Sequence, residues 1–171
     1  MAVLPILTYP DARLKEISNP VERFDTSLRD FINDLEETRR AGPSAVGIAA
    51  PQVGHAWQVV IVDVSTNRKP VPHHGHLILV NPEITEWEGM EVGREGCLSV
   101  PDYTGNIVRA QRISLSAFDP FGNKLEFKME GFEARAVQHE MDHLDGLLFL
   151  DRLVSRRNDL FLRKAQKKYH G

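Results

Sequence analysis

The stretch that most constrains the fold is Gln138-His139-Glu140-Met141-Asp142-His143, inside the longer run 132–148. Two histidines four residues apart on a helix lie about 40° apart around its axis, so both imidazoles leave one face about one turn apart. Two ring nitrogens can then reach one metal ion, and Glu140 stands close enough to act on a water at that ion. His-Glu-x-x-His is thus the spacing of a metal-assisted hydrolase, two ligands and a general base. Two half-buried helix histidines beside a solvated glutamate would leave the same pattern. Around it, Phe132, Ala136, Val137, Met141, Leu144 and Leu148 recur at threes and fours, and Gly131 is a helix breaker in front. Both histidines and Glu140 sit beside this apolar face. The rest of the chain must therefore close a core over a helix that turns its ligands inward.

A chain of 171 residues suffices for one domain, 1–171, around a single core. Its 21 basic and 24 acidic residues give a net charge of −3, which calls for no nucleic-acid partner. An apolar share of 42% and a charged share of 26% are those of a soluble globular protein. The opening Met1-Ala2-Val3-Leu4-Pro5-Ile6-Leu7 lacks the basic region and cleavage site of a signal peptide. No apolar run approaches the ~20 residues of a membrane span, so no membrane partner is expected. One cysteine excludes an internal disulfide and suits a reducing, cytoplasmic setting.

Residues 1–24, with Pro5, Pro10 and Pro20, read as an irregular lead-in. Asp25, Thr26 and Ser27 are candidate N-caps for a helix whose stripe is Leu28, Phe31, Ile32 and Leu35. Arg39 and Arg40 suit its C-terminal end, and Gly42-Pro43 stops it. Residues 45–54 are small and nearly uncharged, fit for close backbone approach to a ligand or for a tight strand and turn, and Gln52 needs partners if buried. A strand follows over 57–64, then a surface loop over 65–76 whose His73, His74 and His76 read as solvated. Strands are expected at 77–80 and 84–87, interrupted by Asn81-Pro82, and a hairpin at 113–117 and 125–129 around the turn 119–123. Residues 152–168 hold seven basic residues against one acid, a C-terminal helix candidate with a charged surface or a docking face for an anionic partner.

Cys97 lies in Glu95-Gly96-Cys97-Leu98-Ser99, far from the histidines in sequence. A thiolate needs a positive centre, and a metal provides one, which makes Cys97 the obvious third ligand. A buried inert thiol is the plain alternative. A Cys-His nucleophile is another, but it uses one histidine and leaves the second, with Glu140, unexplained.

Taken together, the chain resembles the peptide deformylases of bacterial type. Gly47-Ile48-Ala49-Ala50-Pro51-Gln52, Glu95-Gly96-Cys97-Leu98-Ser99 and Gln138-His139-Glu140-Met141-Asp142-His143 match that family in order and spacing. The likeness runs from the first helix to the basic end. One departure is Ala45, where the family usually has glycine; it matters only if that position needs a positive φ or a very close ligand. The resemblance implies an α+β fold, small antiparallel sheets packed around a central metal-binding helix, with an N-terminal and a C-terminal helix. It implies an enzyme that removes the N-formyl group from the N-terminal formylmethionine of newly synthesised polypeptides, releasing formate. Cys97, His139 and His143 would hold one divalent ion, natively Fe2+, with Zn2+, Ni2+ or Co2+ as substitutes. Glu140 would act as general base and then general acid, with the Gln52 amide and the Leu98 backbone N–H stabilising the oxyanion. The backbone of Val46 and Gly96, with Gly47 beside them, would hold the nascent peptide as an added strand. Its methionine would enter a pocket near Val46, Phe132, Ala136 and His139. Glu95 is expected to pair with Arg109 and steady the cysteine loop, so that reversing both charges recovers part of what Glu95→Arg loses. Ribosome docking through the basic C-terminal helix is a further family-based expectation.

Overall fold

A computed structural model describes residues 2–43 and 45–163. After the irregular lead-in, α1 spans Thr26–Ala41, capped by the Asp25 carboxylate on the Leu28 N–H at 3.0 Å. Strands β1 (Gly47–Ala49), β2 (Val59–Val62) and β3 (Leu77–Glu88) follow, then β4 (Glu91–Cys97) and β5 (Val100–Arg109). The hairpin β6 (Arg112–Phe118) and β7 (Lys124–Glu130) leads into α2 (Gly131–Leu144). One helical turn, α3 (Arg156–Asp159), and the short β8 (Leu160–Leu162) complete the described part. The strands form two antiparallel sheets, ordered β1-β2-β3-β6-β7 and β4-β5-β8.

The larger sheet lies between the two long helices, and β2 shows why. Its four residues are all apolar and buried. Val59 and Ile61 face the α1 stripe of Leu28, Phe31, Ile32 and Leu35, while Val60 and Val62 join the cluster that includes Ala134, Ala136 and Val137 of α2. Side chains on a strand alternate between faces, so one strand can seal both layers. A third cluster joins Cys97, Val100 and Ile107 of the smaller sheet to Leu14, Leu148 and Phe149.

Three expectations change in detail. The strands at 77–80 and 84–87 are one strand, β3, with a bulge where Asn81 adopts φ 50°. The Asn81 side chain bonds both the N–H and the carbonyl of Val21, at 2.8 and 2.9 Å, which holds the bulge in place. The helix around the histidines ends at Leu144, closed by the left-handed Gly146, so Leu148 of the apolar period lies beyond it. The basic helix expected over 152–168 is present only as the single turn α3; Leu160–Leu162 is drawn into a strand by pairing with Tyr103–Gly105, and 164–168 lie outside the described residues. Among the described residues, no helix is long and apolar enough to cross a membrane.

Candidate metal centre

Two elements deliver the side chains that could hold a metal. Cys97 ends β4, and His139 and His143 project from one face of α2. Their ligand atoms lie within 4.8 Å of one another, all three residues are buried, and the Cys97 Sγ is 3.4 Å from His143 Nε2. Thiolate and imidazole ligands at about 2.3 and 2.1 Å from one tetrahedral ion would stand about 3.6 Å apart, so spacing and donor set both fit a divalent metal. No other such group of histidine, cysteine or carboxylate occurs among the described residues. His73, His74 and His76 are not part of it. His74 bonds the buried Glu133 at 2.6 Å and His76 pairs with Glu36, so these two loop histidines hold carboxylates as well as meeting solvent.

Around the ligands the polar groups are directed. His139 Nδ1 contacts Glu95 Oε1 at 2.8 Å, which leaves Nε2 for a metal. Arg109 grips Glu95 with Nε and a terminal nitrogen at 2.9 and 2.8 Å and reaches Asp142 at 2.6 Å. Arg135 adds a bond to Glu95 at 2.7 Å, and Arg152 grips Asp142 at 2.6 and 2.8 Å. Burial pushes the Glu95 carboxyl up, but its bonds to Arg109 and His139 outweigh that and hold it well below the usual carboxylate range. Burial, reinforced by the Arg109 charge, pushes the His143 imidazole well below its usual range and favours the neutral form that can ligate a metal.

Glu140 is buried beside this group, its Oε1 without a hydrogen-bond partner among the described residues and 4.0 Å from His143 Nε2. Burial pushes its carboxyl up to about 7, against the lowering influence of His139. Gly47 makes room for it: a Cβ there would lie 2.6 Å from Glu140 Oε2. The Gln52 Oε1 accepts the Ala49 N–H at 2.9 Å, which turns Nε2 toward Ser99 Oγ (3.1 Å) and Cys97 Sγ (3.5 Å). Leu98 sits in the turn between β4 and β5, directly after the cysteine. Val46, Phe132 and Ala136 share one apolar cluster, and a hollow of about 220 Å³ opens between Phe132, Gly93 and Arg135.

A family profile for polypeptide deformylase matches residues 3–159. The chain belongs to the peptide deformylase family. A peptide deformylase of Alkalilimnicola ehrlichii is 42% identical over 167 residues, 98% of this chain and 91% of the relative. Peptide deformylase 3 of Shewanella oneidensis is 40% identical over 98% of this chain and 99% of its own length. Among solved structures, the Ehrlichia chaffeensis peptide deformylase in complex with actinonin superposes with a TM-score of 0.84 at 36% identity, covering 99% of this chain and 94% of that one. The Thermotoga maritima peptide deformylase gives 0.83 at 35% identity, covering 91% and 100%. This peptide deformylase is a hydrolase that removes the N-formyl group from the N-terminal formylmethionine of new polypeptides, releasing formate.

The structure brings Cys97, His139, His143, Glu140, Gln52 and Gly47 together, and it pairs Glu95 with Arg109. Asp142, Arg135, Arg152 and Ser99 escaped the sequence reading. Arg135 had a signal, since it lies four residues before His139 on the helix. Asp142 and Arg152 had none, because Asp142 meets Arg109 of β5 and Arg152 of the 149–152 turn only once both have folded against α2.

Proposed function

We propose that the deformylase reaction is carried by Glu140, Gln52 and Leu98 around a divalent ion held by Cys97, His139 and His143. The observation that carries this is the convergence of one thiol from β4 with two imidazoles from α2, beside a buried carboxylate. A divalent ion bound there supplies Lewis-acid activation of the attacking water and of the formyl oxygen. Glu140 takes the proton of the water and delivers it to the leaving amine as the formyl C–N bond breaks. A buried carboxyl beside the ion can take the proton and then give it up. Charge developing on the formyl oxygen meets the Gln52 Nε2, already oriented by the Ala49 N–H, and the backbone N–H of Leu98. Loss of one such donor costs about 10²–10³ in kcat.

The peptide adds as a strand between two sheet edges. Strands β1 and β4 each have only one neighbour among the described strands, and these edges carry Gly47 and Gly96. Main-chain bonds to Val46 and Gly96 hold it, and the methionine turns toward Val46, Phe132, Ala136 and His139. The Glu95–Arg109 pair steadies the Cys97 end of β4. Fe2+ is the native ion in this reading, with Zn2+, Ni2+ or Co2+ able to replace it, since thiolate and imidazole suit all four. The protein is one catalytic domain working in the cytoplasm. The basic C-terminal segment docks on the ribosome; because β8 belongs to a sheet, the deletion that tests this removes 164–171 rather than 152–171.

The test pairs metal analysis of anaerobically purified protein with an assay on formyl-Met-Ala and acetyl-Met-Ala. Release of formate from the first, with the acetyl peptide intact, is expected. Cleavage of the Met-Ala bond would instead make the enzyme a general metallopeptidase.

A further inference from the structure

The outer face of the smaller sheet presents two guanidinium groups that, among the described residues, have no carboxylate partner, and they flank Gly96. Along β4, Glu95 and Cys97 are buried toward the metal-binding group while Arg94 and Gly96 face outward. Gly96 pairs with Thr104 and Thr104 with Phe161, so the three stand in one row across β4, β5 and β8. Arg94 stacks 3.8 Å over the Phe161 ring and bonds Asn106 Oδ1 at 3.0 Å. Arg163, just past β8, folds over the same row, and its guanidinium takes the space that a Cβ on Gly96 would fill. Among the described residues its side chain makes one long bond, 3.5 Å, to the Tyr103 carbonyl, and its buried Nε has no acceptor. A buried charged donor with no acceptor is unfavourable until something supplies one.

The peptide edge lies next to it. β4 is an edge strand, and in an added strand successive side chains point to opposite faces. A methionine turned inward therefore puts the side chain of the following residue outward, on the Arg163 face. We infer that Arg163, with Arg94 beside it, selects formylated peptides whose second residue is acidic, Asp or Glu. This rests on the peptide placement proposed above and names the specificity of that site.

The experiment compares kcat/KM of the metal-loaded full chain on formyl-Met-Glu-Ser, formyl-Met-Ala-Ser and formyl-Met-Lys-Ser. At low salt the Glu peptide should exceed the Lys peptide by about fivefold, the scale of one partly exposed charge pair. The ratio should fall toward one near ~1 M salt, where screening acts within about 3 Å. Arg163→Glu should invert it, and Arg163→Lys should keep its direction. A ratio cancels any general loss from disturbing β8, which a purely structural role would produce. If Arg163→Glu does not fold, Arg163→Gln removes the charge with less change of shape and should bring the ratio toward one. A wild-type ratio of one at low salt, or a ratio unmoved when the charge is removed, overturns the inference. Failure to deformylate all three peptides would instead sink the functional reading.

Discussion

Replacing Gly47 with alanine should cripple turnover while leaving the metal in place. A Cβ on Gly47 would lie 2.6 Å from Glu140 Oε2, 2.9 Å from its Cγ and 3.0 Å from its Cδ. Ordinary contact begins near 3.4 Å, so the carboxylate must give by the difference between 3.4 and 2.6 Å, about 0.8 Å. Gly47 has no positive φ, so the backbone accepts alanine and the collision is the whole effect. Strand β1 cannot retreat, because it pairs residue for residue with β2 and Ile48 is fully buried. The Glu140 side chain moves instead. A displacement near 1 Å in a positioned reacting group costs about 10²-fold, and that is the expected fall in kcat. The added methyl should also cost about 1–3 kcal/mol of stability, as overpacking does. Steady-state kinetics on formyl-Met-Ala, metal stoichiometry and thermal unfolding measure the three quantities. A kcat near that of the wild type, with full metal, would refute the reasoning. Loss of metal would show that the methyl disturbs the ligands and not the base.

Glu140→Ala should abolish turnover yet retain the metal; surviving activity would remove the glutamate from the mechanism. A chelator should inactivate the enzyme, and the iron form should lose activity in air faster than a nickel form, because a thiolate on ferrous iron is prone to oxidation; equal lifetimes would contradict this. Since Glu95 is held ionised below the usual range, its contribution to stability is complete above the free carboxyl value of about 4.3 and is lost as pH falls through its lower folded value. The stability gap between wild type and Glu95→Gln should therefore close in acid, and a gap constant with pH would argue against the ionised pair. Arg109→Met leaves two buried carboxylates short of a partner and should cost about 3–5 kcal/mol by urea unfolding. Exchanging the charges of Glu95 and Arg109, a rescue expected from the pair alone, should restore little, because it sets an arginine against Arg135 and His139 and a glutamate against Asp142.

What the sequence made legible was what repeats or what is rare. The stripe Leu28, Phe31, Ile32, Leu35 marked α1, and the alternation around the turn 119–123 marked β6 and β7. A single cysteine together with a His-Glu-x-x-His pair marked the three side chains that converge. The hairpin of β4 and β5 was not legible as strands, although it carries Cys97. Gly93, Gly96 and Gly105 interrupt its alternation, and each marks a close approach rather than a turn: Arg135 crosses at Gly93, Arg163 at Gly96 and Phe149 at Gly105. A glycine kept empty for a distant side chain looks, in sequence, like a glycine kept for a bend. The C-terminal strand was hidden for a related reason. Leu160–Leu162 has too few residues to show a period, and its strand form comes from the pairing offered by β5.

The buried charges around the ligands are better explained by direction than by stability. Glu95, Arg109 and Asp142 are nearly inaccessible to water, with Arg135 and Arg152 at their margins. Replacing such a network by apolar side chains of equal volume is often neutral or stabilising by about 1–4 kcal/mol, so cohesion alone does not account for it. Its innermost contacts run between β4, β5 and α2. Glu95 on β4 holds the His139 ring of α2, and Arg109 on β5 holds both Glu95 and Asp142 of α2. Cys97 is two residues beyond Glu95, and His143 is one beyond Asp142. The ties thus fix the strand that carries the sulfur against the helix that carries the imidazoles, one residue or two away from each ligand. Apolar packing can press a helix on a sheet, but it tolerates sliding along the contact. Charged forks bond in one geometry and do not. A metal centre assembled from two elements needs that lack of tolerance, because its ligand atoms must already stand about one ligand–ligand spacing apart when the ion arrives.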